Sequence, residues 1–406
     1  MQLLSSLASH IRRRPALHGL VRTVLQLVEA GIARVLFMAR VRFLRLTVPG
    51  RIGHLCTDPA TFVKKRILGM EPWRYGVLVS PPSVGDNQSI LGYWRRHLGV
   101  VRSPLGARIV KRLSRFDYLN YDAMILAFNE TAHYIAVERA WGTRPPLMQL
   151  TEEHRARGRA WLASMGVPAG AGIVCLHNRE AGYSPQDDDI NLYRNSSVKN
   201  YLVAAQELVK RGYWCVRMGG PAQSRLPAMQ GVIDYADLDL RGDWLDVFLC
   251  AECRFFLGAS SGLLYVSTLF GRPVAAANQA PLSTVLAFSA IDVAIPKLLW
   301  SVAESRYLGF REAFASSISN QRFAQKYVEL GIRTVENTGE DLRDLAIEVL
   351  ERVDGTAIYT ARDEELQRRF LSLMRPGHYG YGGINRVGRD FLRKYEYLLG
   401  DQPVKR

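Results

Sequence analysis

Gly258–Pro273 reads GASSGLLYVSTLFGRP. The apolar run Arg254–Leu257 (RFFL) ends in small residues, a Ser-Ser-Gly turn follows, and a helix opens at Gly262. Small residues let a ligand approach the backbone, where freed N–H groups and the helix dipole hold a phosphate. Ser260 and Ser261 add hydroxyl donors. A tight βα turn also packs small residues, so the flanks must decide between the two readings.

Moving outward, further strands are expected at Gly172–His177 (GIVCLH), Tyr213–Met218 (YWCVRM), Val232–Ala236 (VIDYA), Pro273–Ala277 (PVAAA) and Asp292–Ile295 (DVAI). Helices are expected from Ser196 or Ser197 to about Arg211, and over Asp243–Glu252, Gly262–Phe270 and Thr338–Val353. Strand alternating with helix implies right-handed crossovers and a parallel sheet. In such a sheet ligands bind beyond the carboxyl ends of the strands, where the Ser-Ser-Gly turn lies. Upstream the marks are fainter. Tyr75–Ser80 (YGVLVS), Tyr121–Phe128 and a run around Leu46–Val48 read as strands, and residues 88–98 as a helix. Gly142–Leu147 (GTRPPL) reads as a linker, and Thr151 as the cap of the helix beyond it.

The 406 residues suggest two domains plus extensions. The expected division is a helical extension over 1–46, an α/β domain over 47–150, a second over 151–355 and a basic tail over 356–406. The net charge of +15 is uneven. Residues 1–50 carry eight Arg against one Glu, while 51–360 hold 35 basic and 31 acidic residues. Basic ends on a balanced body fit an anionic membrane surface or anionic substrates and argue against nucleic acid as a partner. The segment 16–48 alternates Arg22, Glu29, Arg34 and Arg40 with Leu25, Val28, Ile32 and Val35, the pattern of an amphipathic basic helix. It could lie on a membrane or pack on the protein itself, and its charges break any span of the ~20 apolar residues a crossing needs. Five cysteines without a pairing framework suit a reducing, cytoplasmic compartment, with the protein peripheral at the inner face of the membrane.

Several polar residues gather at the same strand ends. His177-Asn178-Arg179 follows the first strand of the second half, and Arg194, Asn195 and Arg217 occupy neighbouring ends. A guanidinium offers a diphosphate a planar fork of donors. Asn278, past the fifth strand, joins this expected donor site with Ser260, Ser261 and Gly262. Asp187-Asp188-Asp189 could bind a divalent metal or be solvated loop charge. In the first half, His54 in Arg51–His54 and Asp86 in Gly85–Asn87 each follow an expected strand, and either could act as a general base.

The runs HNREAGY, LYRNSSVKNYLVAAQELVKRGYWCVRMGG and FFLGASSGLLYVSTLFGRPVAAANQAPLS resemble the C-terminal domain of bacterial GT-B glycosyltransferases, within a family of surface-polysaccharide transferases. With RIGHLCTDPATF and GDNQSILGYWRRHLG the resemblance spans about residues 47–350. It implies two Rossmann-like domains facing a cleft, transfer from a nucleotide-sugar to a glycan or glycolipid acceptor, and no metal or other cofactor. Fucosyltransferase-like relatives imply that His177 and Arg179 contact the donor diphosphate beside Ser260-Ser261. Heptosyltransferases carry a Gly-Asp base where this chain has Gly53-His54, a departure that keeps Asp86 as the fallback. A sugar-nucleotide epimerase of the same fold and a non-catalytic polysaccharide- or lipid-binding partner of an export machine remain as alternatives. A metal-dependent GT-A transferase would rest on Asp187–Asp189 alone.

Overall fold

The computed structural model describes residues 15–46, 48, 50–80, 87–121, 130–181, 190–220, 224–239, 241–284 and 289–400. The first unit contains α1 (Pro15–Met38), β1 (Val41–Arg45), α2 (Ile52–Ile67), β2 (Tyr75–Val79), α3 (Gln88–Trp94), β3 (Gly99–Val101), α4 (Pro104–Leu113), β4 (Asn120–Tyr121) and α5 (Glu130–Trp141). Its four strands form a parallel sheet in the order β3-β2-β1-β4.

Two expectations fail here. The strand expected around Leu46–Val48 lies earlier, at Val41–Arg45. Arg40 takes the left-handed region (φ 56) and ends α1, so the apolar stretch divides into helix and strand. Arg51–His54 is not a loop but enters helix α2, which continues with Pro59 in its interior.

The second unit continues with α6 (Glu152–Ser164), β5 (Ile173–His177), α7 (Val198–Lys210), β6 (Trp214–Arg217), β7 (Val232–Ile233), α8 (Asp243–Glu252), β8 (Phe256–Gly258), α9 (Gly262–Leu269), β9 (Val274–Gln279) and β10 (Val293–Pro296). Then follow β11 (Leu298–Ser301), β12 (Arg306–Tyr307), α10 (Phe310–Ala315), α11 (Ala324–Glu329), β13 (Ile332–Val335), α12 (Gly339–Asp354), α13 (Ala361–Ser372), β14 (Arg386–Val387) and α14 (Arg389–Lys394). Seven parallel strands take the order β14-β10-β9-β8-β5-β6-β7. All six residues of β9 are buried, as both-face coverage by helices requires.

The small antiparallel sheet β12-β11-β13 had no counterpart in the sequence reading. Nor is 356–406 a detached tail. Its strand β14 joins the edge of the seven-stranded sheet beside β10, and Leu366, Phe370 and Phe391 are buried. Where caps are strong the reading is close. Thr338 Oγ accepts from Asp341 N (3.2 Å), Asp341 Oδ2 accepts from Thr338 N (2.9 Å), and Gly355 (φ 72) ends α12.

The two units share one continuous core, and α2 lies against α9 across it. A Cβ on Gly262 would stand 2.5 Å from Ile52 Cγ2 and 3.1 Å from Gly53 N. Only a glycine permits that approach. Gln88 N donates to Asp243 Oδ2 (2.7 Å), and Asn87 Nδ2 to Asp243 O (3.3 Å), which joins α3 to the start of α8.

Helix α1 divides its surface. Ala33 is fully buried, and Glu29 pairs with Arg112 (3.4 Å) and Arg115 (2.7 Å). Yet Leu20, Leu27, Val35 and Met38 are 59–67% exposed. Among the described residues no helix is long and apolar enough to cross a membrane.

Candidate active site

A cleft of about 2170 Å³ opens between the units and takes residues from both. Its centre is where the first turns of α2 and α9 meet. Neither helix is capped by a side chain: Arg51 and Ser261 hold the cap positions without a side-chain bond. Residues Ile52 to His54 and Gly262 to Leu263 of these first turns line the cleft, with the positive ends of two dipoles beside them. Ser261 Oγ is buried and has no partner among the described residues. A buried hydroxyl left unbonded is costly unless a ligand completes it.

The cations come from neighbouring strand ends. Arg179 Nη1 donates to the Asn195 side-chain oxygen and to Asn191 O. Arg194 Nη2 donates to the Ser260 carbonyl and its Nη1 to Asn191 Oδ1 (3.3 Å), so it braces the Ser-Ser-Gly turn. Asn195 does not line the cleft. It holds Arg179 from behind, while its own carbonyl accepts from Lys297 Nζ. Burial pulls the Lys297 ammonium down to about 8, against the opposing pull of Glu336. Arg217 is 2% exposed, with Nε on Asp234 Oδ1 (2.6 Å) and Nη1 on Ser224 O (2.6 Å). Its Nη2 lacks a partner among the described residues.

His177 lines the cleft. Its Nδ1 lies 3.1 Å from the Met218 carbonyl, which can only accept, so Nδ1 carries the proton and Nε2 is left as an acceptor. Burial, reinforced by Arg217, Arg179 and Arg194, holds its titration down at about 4. Asn278 is absent from the cleft wall. At φ 51 it exchanges bonds with Asn337: Asn278 N to Asn337 Oδ1 (2.6 Å) and Asn337 N to Asn278 Oδ1 (2.8 Å). That is a clasp between β9 and the start of α12, not a ligand contact.

On the first unit, His54 occupies the opening turn of α2. Its Nδ1 is 3.3 Å from Asp58 Oδ2, one helical turn on, and Asp58 is 5% exposed. Thr57 Oγ donates to Asp58 Oδ1 (3.2 Å). A carboxylate behind Nδ1 fixes the ring and leaves Nε2 to accept a proton. The sequence reading missed Asp58 because it placed His54 in a loop. A helix beginning at Ile52 would have made the i, i+4 spacing visible. Asp86 and Asp187–Asp189 lie outside the described residues.

Three further features escaped the sequence. Glu180 Oε2 is buried on the cleft wall without a partner among the described residues, while Oε1 accepts from Asn178 Nδ2 (2.9 Å). Asp246 lines the far end of the cleft. Arg375–Tyr379, from the supposed tail, closes another side with Arg322, whose guanidinium lies over the Tyr379 ring (5.6 Å).

No family model and no curated protein matches this sequence. Among solved structures, the chain is similar to a glycosyl transferase family 9 protein from Veillonella parvula DSM 2008, at 13% identity and a TM-score of 0.35, over 58% of this chain and 80% of that one. It is similar to E. coli ADP-heptose LPS heptosyltransferase II at 14% identity and a TM-score of 0.36, over 58% and 83%. It is also similar to the dodecameric iron-containing heptosyltransferase TibC in complex with ADP-D-β-D-heptose, at 15% identity and a TM-score of 0.35, over 60% of each chain. At these identities and TM-scores the likenesses carry no argument about activity, which has to be read from the site itself.

Proposed function

We propose that the chain transfers a glycosyl group from a nucleotide-sugar to an acceptor hydroxyl. The observation that carries this reading is the opposition across one cleft of a base pair, His54–Asp58, and an anion cradle. The cradle is the uncapped start of α9 with the Ser261 hydroxyl, which has no partner among the described residues, and the arginines around it.

The donor diphosphate lies along Ser260–Gly262, with Arg179 and Arg194 beside it. The acceptor oxygen attacks the anomeric carbon while its proton passes to His54 Nε2. The carbon–oxygen bond to the diphosphate breaks, and its electron pair leaves on the phosphate. Donors fixed before the reaction stabilise that charge without reorganising, so the reaction draws on no metal or other cofactor. An in-line displacement of this kind inverts the anomeric centre. The exposed apolar face of α1 and the basic N-terminal segment hold the protein at an anionic membrane, where a glycan or glycolipid acceptor of surface-polysaccharide synthesis is presented. The site faces the cytoplasm, at the inner side of that membrane.

The test is a thermal-shift screen with UDP-, GDP-, CMP- and ADP-sugars, followed by product analysis. Ligand that binds only the native state raises the melting temperature. Transfer to an added glycan acceptor is expected. Release of an epimer would replace this reading with an epimerase, and silence toward every nucleotide would replace it with a non-catalytic binding protein.

A further inference from the structure

At the far end of the cleft lies a carboxylate that the transfer chemistry does not use. Asp246, in the first turns of α8, accepts from Tyr235 Oη at Oδ1 (2.8 Å). Tyr235 Oη in turn accepts from Gly242 N (3.2 Å). Burial is the main influence on Asp246 and pushes its titration up to about 6; Tyr235 and Arg241 oppose that rise, and neighbouring Asp243 adds to it. No salt bridge to Asp246 is formed among the described residues. A half-buried carboxylate without a salt bridge is costly to keep in a fold. Holding Tyr235 alone would not require the charge, since an amide oxygen accepts equally well.

The cleft wall near it is small or apolar. Met218, Gly219, Gly220 and Ala236 line it with small or apolar surface, and Gly219 (φ 135) bares its backbone there. On the neighbouring strand end, the buried Arg217 lines the same cleft, and its Nη2 has no partner among the described residues.

We propose that this slot takes the base of the donor nucleotide and that Asp246 selects guanine. The proposal rests on the nucleotide-sugar reading above. Guanine presents two adjacent donors, the ring N1–H and the exocyclic N2–H, to the lone pairs Asp246 keeps free of Tyr235. Adenine and cytosine set a ring-nitrogen acceptor beside their amino group, and uracil flanks its one N–H with two carbonyls. Each would turn lone pairs toward a carboxylate, so rejection is built into the same residue that attracts.

Calorimetric titration of the full chain with GDP, ADP, UDP and inorganic pyrophosphate tests this, on the wild type and on Asp246→Asn. The amide keeps the Tyr235 bond and the side-chain volume, and a melting curve checks the fold. GDP should bind the wild type about tenfold or more tighter than ADP or UDP, the scale of a hydrogen bond to a charged group. Asp246→Asn should remove that preference and leave pyrophosphate affinity unchanged. Pyrophosphate and all three nucleotides binding with no preference, or a preference that survives Asp246→Asn, would overturn the base assignment and leave the diphosphate site standing. Failure of pyrophosphate and every nucleotide to bind would overturn both.

Discussion

His54 and Asp58 stand one helical turn apart on α2, and His54 lines the cleft. His54→Ala is expected to lower turnover by about 10²–10⁴-fold, the usual worth of a general base, with donor affinity unchanged. Asp58→Asn should lower the same parameter by less, since the ring remains but loses its anchor. If the folded variants keep normal turnover, the base lies elsewhere, and Asp86 is next. Arg179→Ala should instead weaken donor affinity by roughly 1.5–3 kcal/mol, the loss of a charge-assisted bond, read by titration of the nucleotide-sugar. Asp246 gives a stability test independent of ligand. Its titration is raised from 3.8 to about 6 on folding, so the native state binds more protons than the unfolded chain between those values. Stability from this group is therefore lost as pH rises through that window, and the penalty is complete above about 6. Asp246→Asn should be more stable than wild type at about pH 8, on the order of 1–3 kcal/mol, and the gain should vanish near pH 4. Melting curves at the two pH values check the sign. The residue types of the proposed anion cradle were visible in the sequence at Ser260-Ser261, Arg179 and Arg194. The tautomer of His177 and the clasp role of Asn278 were not, because each depends on a carbonyl or amide brought from a distant segment.

At the scale of elements, the decisive contact is that of α2 with α9. Two helix starts converge only because Gly262 and Gly53 let the backbones meet. Gly262→Ala should therefore push the two units apart. Overpacking of this kind costs typically 1–3 kcal/mol, and the displaced helix start should also weaken nucleotide binding. Loss of both properties together, in melting and titration of the same sample, is the expected result. Normal donor affinity in the variant would show that the convergence of the two helices does not build the site. Helix α9 was legible from its strand–turn–helix pattern. Helix α2 was not, because Arg51 provides no cap signal and Pro59 reads as a breaker. The first turn of a helix can lack a side-chain cap when a ligand is to occupy that place.

For the molecule as a whole, the surface that matters beyond the cleft is that of α1. It is tied to the first unit by Ala33 and by Glu29, yet Leu27 and Val35 stand 67% and 59% exposed. The neighbouring α4 adds Leu105 and Ile109, also exposed, among Arg108, Lys111 and Arg112. Leu27→Glu and Val35→Glu change only exposed positions, so the fold should persist while sedimentation with anionic vesicles falls by about tenfold or more per substitution. Binding should also weaken with added salt and be lower on zwitterionic vesicles. Unchanged vesicle binding in the folded variants would reject the membrane role of this helix.

What the sequence by itself determined is the parallel α/β second half and the turn that opens α9. Both follow from short-range rules: apolar runs of strand length, small residues at their ends, and caps such as Thr151, Ser197 and Thr338. What only the tertiary structure decided is everything that depends on partners far along the chain. The C-terminal strand Arg386–Val387 has too short an apolar signal to be read alone, and it exists because β10 offers an open edge. The split of the N-terminal apolar stretch into α1 and β1 is set by the sheet that β1 enters beside β2 and β4. The site itself is non-local, since His54, Arg179, Ser261 and Asp246 come from four separate elements that meet only when the two units bury their common core.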